Sequence, residues 1–337
     1  MNALTCSRLG LILATVCLAY GPVSSREPPQ KPPVDLNILH VQVLLDRLGF
    51  APGVIDGRDG KSLEAALRGF QRAHGLPVTG RIDQPTLRLL HRYRAIRPTR
   101  LLAVSPADAA GPFSGRLPED PAAQARLQML GYANLLEKLA EKFHTTPATL
   151  IALNSPQTRL GPGARIRFPN VLPASREYDA KLPPDWRRTL SDLNVDARQP
   201  EAERIVVDKS EGVLQVYDRA DRLIAQFPAT MGSRHDPLPI GMWTIKGAAY
   251  NPPFHYNPDL FWDADDGDTK QKLPPGPNGP VGVIWLDLSK PHYGIHGTPN
   301  PETIGRAESH GCIRLSNWDA ARLSLMVKPG TPAIFQP

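Results

Sequence analysis

Hydrophobic positions change their spacing twice along the chain, and each change marks a boundary. Between Leu36 and Tyr93 they recur at helical period. Leu39, Val41, Leu44, Leu45 and Leu48 define one helix that ends near Gly49. Leu63, Ala66, Leu67 and Phe70 define a second, and Thr86, Leu89 and Leu90 a third. Turn-rich stretches at 50–57 and 75–80 separate them. Residues 34–95 are therefore predicted to form a small all-α, three-helix domain. A weaker helical pattern follows. Leu136, Leu139, Ala140 and Phe143 share one face, and Thr145-Thr146-Pro147 opens another helix through Leu150, Ile151 and Leu153. Residues 160–170 then read as a turn into a short strand, so 132–172 is predicted to be a short α/β module. The Pro-, Ala- and Gly-rich residues 96–131 and the polar, proline-bearing residues 173–202 read as linkers.

Beyond Arg204 the texture becomes that of short strands. Arg204–Asp208, Gly212–Tyr217, Leu223–Thr230, Trp243–Lys246 and Val283–Leu288 are strand-like, and Tyr293–His296 leads into a polar cluster. The one clear late helix runs from Asn317 to about Val327, with Ser316 and Asp319 at capping-box spacing. Residues 203–337 are predicted to be a β-rich, sandwich-like domain, and the chain as a whole multidomain.

The amino terminus differs from all of this. Arg8 precedes an apolar run, Leu9 to Tyr20, and Val23 and Ser25 suit the −3 and −1 positions of a cleavage site. Residues 1–25 read as a signal peptide, too short for a spanning helix, and 26–33 as a stiff Pro-rich linker. Export to the periplasm or cell wall is expected. Cleavage would remove Cys6 and Cys17 and leave Cys312 alone among three cysteines. Exported chains normally pair their cysteines or avoid them, so a lone thiol is either reactive or buried and inert. Charge adds little. Lys plus Arg number 39 against 33 Asp plus Glu, a net +6. That suits an anionic polymer or surface but identifies no partner. There is no nucleic-acid motif.

The surroundings of Cys312 favour the reactive alternative. It lies in Ser309-His310-Gly311-Cys312-Ile313-Arg314-Leu315, with His296 sixteen residues upstream in Ile295-His296-Gly297-Thr298. In an extended segment side chains alternate, so His310, Cys312 and Arg314 share one face while Ile313 and Leu315 face the interior. The nearby cations and the start of the Asn317 helix are expected to favour thiolate. Gly311 removes bulk beside the sulfur, and backbone N–H groups there could hold an oxyanion. The pattern is that of a cysteine nucleophile with a histidine base.

Three resemblances sharpen this. Tyr293-Gly294-Ile295-His296-Gly297-Thr298, Ile304-Gly305 and Ser309 to Leu315 resemble the catalytic signature of YkuD-type L,D-transpeptidases, with support from Pro239 to Ile245 and Gly279 to Gly282. Leu238 departs from a common threonine. Gln42, Leu48-Gly49-Phe50, Asp56-Gly57, Phe70-Gln71, Val78-Thr79-Gly80, Asp83 and Thr86 resemble the three-helix peptidoglycan-binding domain of cell-wall hydrolases, with Leu63 in place of a usual threonine. Residues 132–172 are similar to the back half of a LysM module without its Gly-Asp-Thr signature.

The first resemblance implies that Cys312 is the nucleophile, that His296 is the base, that the Gly297 carbonyl orients its ring, and that His310 assists. Tyr293, Ser309, Gly311 and Arg314 would meet substrate. The implied reaction is transfer of a peptidoglycan tetrapeptide stem, with loss of D-alanine, to an amine on another stem or on a protein lysine. No cofactor or metal is implied. A thiol hydrolase using water and a non-catalytic wall-anchoring protein are the alternatives. The N-terminal modules are expected to supply wall affinity as independently tethered units, with every catalytic residue lying beyond Asp196.

Overall fold

The computed structural model describes residues 34–260, 264–265, 267–307, 309 and 311–337. The expected signal peptide and Pro-rich linker, Trp262 and His310 lie outside the described residues. Residues from Val34 onward form one compact unit.

Three helices open it: α1 (Leu36–Arg47), α2 (Lys61–Ala73) and α3 (Gln84–Leu90). Asp35 caps α1, accepting from Asn37 N and Ile38 N, and Asp83 caps α3, accepting from Thr86 N. The motif residues between the helices hold the turns closed. Gln71 accepts from the N–H groups of Thr79 and Gly80 and donates to Thr79, Arg81 and Thr86. Gln42 does the same for the first turn, accepting from Asp56 N and Gly57 N at 3.0 and 2.7 Å. Helix α1 is buried on more than one face. Val41, Leu44 and Leu45 join the core of α2 and α3, while Leu39 and Val43 join that of the following module. A helix apolar nearly all round is one packed on several sides.

That module contains β1 (Thr99–Ala103), α4 (Pro106–Ala109), α5 (Pro121–Gln124), α6 (Leu135–Lys142), α7 (Pro147–Leu153) and β2 (Arg165–Pro169). Strands β1 and β2 pair antiparallel from Thr99↔Pro169 to Ala103↔Arg165. Residues 96–131 are thus more than a connection. They supply a strand whose mostly exposed side chains leave no alternation to read. Phe143 and Phe168 stack at 3.9 Å in the core.

The second expected linker also carries structure. Helix α8 (Pro184–Asp192) buries Trp186 and Leu190 completely in the core of the C-terminal domain. Trp186 stacks on Tyr250 at 4.8 Å. The strands are β3 (Arg204–Asp208), β4 (Val213–Tyr217), β5 (Leu223–Pro228), β6 (Thr230–Met231), β7 (Gly241–Tyr250), β8 (Phe254–Tyr256), β9 (Gln271–Leu273), β10 (Ile284–Leu288), β11 (Gly294–His296), β12 (Ile313–Arg314) and, after α9 (Asn317–Ser324), β13 (Pro332–Gln336). Nine of them form a sheet ordered β5-β4-β3-β13-β7-β10-β11-β12-β6; β8 and β9 form a separate hairpin. The long β7 serves both halves. Its first residues pair with β13 and its later ones with β10. One apolar core draws on both halves, from Ile205 and Leu214 to Ile295 and Ile313. Strand β13 lies at the centre, parallel to β3 and antiparallel to β7. The sequence pattern announced no strand there, because Gly330 and Pro332 interrupt it at the start.

The three-helix domain docks on the edge strand β5. Phe50 bridges Gln226 in parallel, with Ala51 N donating to Gln226 O and Gln226 N to Gly49 O, both at 2.9 Å. Leu223 and Tyr217 extend the helical core, and Arg72 forks onto Glu211 at 2.6 and 3.1 Å. An otherwise open sheet edge is thereby covered.

Candidate active site

Two adjacent strands build the site. Strand β11 ends at His296, and β12 begins one residue after Cys312. They run parallel, with Ile295 opposite Ile313 and His296 opposite Arg314. Leu315 N closes the ladder onto His296 O at 2.9 Å. Gly311, Ile313 and Leu315 are buried, while Cys312 and Arg314 are only partly buried, which is the alternation expected of an extended segment. His310 lies outside the described residues.

His296 is 4% exposed, and its Nδ1 lies 2.7 Å from Gly297 O. A carbonyl only accepts, so Nδ1 carries the proton and Nε2 keeps its lone pair. Trp285, opposite His296 across β10 and β11, stacks on the imidazole at 5.5 Å and 15°. Burial pushes His296 down to about 4, and the charge of Arg314 adds to this against the pull of the Gly297 carbonyl. The ring is a neutral base.

The Cys312 thiol lies 3.8 Å from His292 O. Burial pushes it above its usual range, and the Gly294 N–H and the Arg314 charge only partly offset this, while Asp236 adds to the rise. This direction runs against the expectation of a thiolate made by neighbouring cations. Loss of water around the sulfur outweighs the attraction of one guanidinium. Both shifts favour a neutral thiol beside a neutral imidazole.

Small residues make this closeness possible. Gly311 adopts φ +89°, and a Cβ there would lie 2.7 Å from the Tyr293 ring. A Cβ on Gly294 would lie 2.4 Å from Trp285. Tyr293 is therefore laid against the backbone beside Cys312. Ser309, expected among the substrate contacts, is buried. Its Oγ accepts from Gly232 N at 2.6 Å and donates to Cys312 O at 2.7 Å, so it fixes the nucleophile's backbone.

Sequence reasoning did not single out Trp285, Asp236 or Asn317. Trp285 was readable, because a hairpin turning at 289–292 places it opposite His296. Asn317 was known only as a helix start. It is wholly buried beneath the Gly297 backbone, and its Oδ1 accepts from Val283 N at 3.2 Å. Asp236 reaches the site from a distant loop, and no local pattern announces it.

Residues 202–335 match the L,D-transpeptidase catalytic domain family YkuD, and residues 35–90 match a peptidoglycan-binding domain family. A YkuD L,D-transpeptidase of Bacillus licheniformis is 36% identical over 134 residues, covering 40% of this chain and 66% of that protein. The Bacillus subtilis YkuD is 58% identical over 55 residues, 16% of this chain and 34% of that protein. Escherichia coli K12 YbiS is 31% identical over 137 residues, 40% and 44% respectively. The chain thus spans between a third and two thirds of the length of these relatives. An L,D-transpeptidase from Mycobacterium smegmatis of known structure is 25% identical over 40% of this chain and 59% of that one, with a TM-score of 0.33. The chain carries a catalytic domain of the YkuD family of L,D-transpeptidases, preceded by a peptidoglycan-binding domain.

Proposed function

We propose that this protein transfers peptidoglycan stem peptides through a thioester on Cys312. The observation that carries the reading is the locked tautomer of His296. Its Nδ1–H is committed to Gly297 O, which leaves Nε2 to take a proton on the strand next to the thiol. Cys312 Sγ attacks the carbonyl of the diamino acid before a terminal D-alanine as its proton passes to His296. The imidazolium then protonates the leaving amine, and D-alanine departs. An amine from another stem or from a protein lysine attacks the thioester, gives its proton back through His296 and regenerates the thiol. The Gly294 N–H, directed at the sulfur, is placed to stabilise the developing charge. Tyr293 and Arg314 flank the donor. Gly311 leaves room for it, and His310, adjacent in sequence, is proposed to assist.

The substrate assignment also draws on the peptidoglycan-binding domain at residues 35–90. The β1-α6-α7-β2 arrangement supports the LysM-like reading of the middle module, with β1 supplying the strand that sequence reasoning did not place. Export is proposed with the substrate. No helix among the described residues is long and apolar enough to cross a membrane. Incubation with a defined tetrapeptide stem and an acceptor amine, read by mass, tests the reading. The expected result is loss of D-alanine and a joined product, absent in Cys312→Ala. Turnover by Cys312→Ala, or attack by water alone at the same rate with or without amine, overturns it.

A further inference from the structure

Helix α6 of the middle module meets the catalytic domain through two glutamates. Glu137 and Glu141 lie one turn apart on α6, so they project from the same face. Glu137 Oε1 accepts from Asn278 Nδ2 at 2.8 Å, and Asn278 also donates to Gly131 O at 3.0 Å. Leu130 N donates to Pro275 O and Asn278 N to Leu130 O, both at 3.0 Å. Glu141 Oε1 accepts from Asn317 Nδ2 at 2.8 Å, and the same amide donates to Pro277 O at 3.0 Å. Glu141 is 8% exposed and Asn317 0%.

Asn317 connects this contact to the chemistry. With Nδ2 held by Glu141, its Oδ1 is turned toward the backbone under the site. There it accepts from Val283 N at 3.2 Å. A Cβ on Gly297 would lie 2.0 Å from this Oδ1, and one on Gly282 1.9 Å, so both glycines give the amide room against the chain. Gly297 is the residue whose carbonyl holds His296 Nδ1. The path from α6 to the base is Glu141, the Asn317 amide, the Gly297 backbone and the imidazole. Without Glu141 the amide would keep only Pro277 O as acceptor and leave its second buried N–H unsatisfied, so it would shift against the Gly297 backbone on which it packs.

We propose that Glu141 is a positioning residue for His296, acting through Asn317, so that the middle module is a structural part of the active site. The inference rests on the proposed thiol chemistry. It gives α6 a task in catalysis separate from any binding of glycan by the module. Burial, with the neighbouring charge of Glu137, pushes Glu141 up to about 7. A neutral carboxyl still offers a carbonyl oxygen to Asn317, so glutamine is a faithful substitute.

The test uses full-length protein and a soluble tetrapeptide stem, with kcat and KM measured separately, together with the rate at which a carbapenem forms an adduct at Cys312. Glu141→Ala is expected to lower kcat and the acylation rate roughly 10- to 100-fold, the scale of a catalytic group displaced by about an ångström, with KM changed less than about threefold. Glu141→Gln is expected to restore most of the rate. The double variant Glu141→Ala/Asn317→Ala is expected to be no slower than Asn317→Ala alone. Glu141→Met, of similar volume and unable to accept, carries the same expectation should the alanine variant not fold. Parental kcat in Glu141→Ala, no rescue by glutamine, or losses that multiply in the double variant would each overturn the proposal. A parent protein inert to both stem and carbapenem would instead overturn the proposed function.

Discussion

At the scale of residues, the neutral pair sets the pH dependence. His296 is held near 4 and Cys312 above its usual range. The base is therefore already neutral at pH 6 and protonates only as pH falls toward 4. Acylation of Cys312 should be flat from about pH 5.5 to 8 and fall below that, with no inflection near the ordinary imidazole value of about 6.5. Stopped-flow acylation across pH measures this, and a limb centred near 6.5 would count against the resting state described. Trp285→Ala opens the imidazole to water. His296 should then titrate upward toward 6.5, visible in its ring NMR signals, and the low-pH limb of the rate should move with it. Cys312, His296 and Gly297 were legible because the proposed nucleophile, base and orienting carbonyl sit in short segments of recognisable spacing. Their protonation states were not, since burial and the Trp285 face come from a different strand.

At the scale of elements, α9 joins site and core. Ser316 caps it, accepting from Asp319 N at 3.1 Å and donating to Asp319 Oδ2 at 2.7 Å. Burial and then the charge of Asp46 push Asp319 up to about 7. Between its unfolded value near 4 and about 7 the folded state keeps this proton while the unfolded state loses it, so the group's contribution falls as pH rises. Ser316→Ala should cost about 1 kcal/mol for the cap and roughly 1–3 more for the carboxylate left without its donor. The loss should be larger at pH 8 than at pH 5 in denaturant melts; an equal loss at both would mean Asp319 does not feel the hydroxyl. Long loops in compact domains tend to act as lids, and the region 250–280 contains the β8–β9 hairpin, with its return limb tied to Leu130. Shortening the hairpin tip between Tyr256 and Gln271 should shift products from amine transfer toward hydrolysis, read by product mass, because water then reaches the thioester.

At the scale of the molecule, the domains are not beads on a string. A fragment beginning at Asp196 loses Trp186, Leu190 and Leu193, all buried in the catalytic core. It should fail to fold cooperatively, whereas the same residues read as linker promised an independent domain. Removing a fully buried tryptophan alone costs about 3–5 kcal/mol. The three-helix domain is held where Gly69 meets Gln226: a Cβ on Gly69 would lie 2.7 Å from that side chain, and Gln226 Nε2 donates to Ala65 O at 2.7 Å. Gly69→Leu should wedge the helices off β5, giving a larger radius in solution scattering and two melting steps instead of one. An unchanged profile would show that the docking tolerates the wedge.

By itself the sequence determined the helices of residues 34–95 and most strands after Arg204, and it named the proposed thiol, base and carbonyl of the site. Each of these is encoded locally, in the spacing of apolar residues or in a motif only a few residues long. Helix α1 illustrates the limit. Its periodic leucines announced a helix, but Leu39 and Val43 pack into a different core from Val41 and Leu45, and no periodicity says which neighbour covers which face. Tertiary structure alone decided that β13 is central, that β1 returns to pair with β2, and that Trp186 belongs to the catalytic core. It alone brought Glu141 to Asn317 across 176 residues of chain. Such pairings depend on which surfaces exclude water together, and that is a property of the whole packed chain.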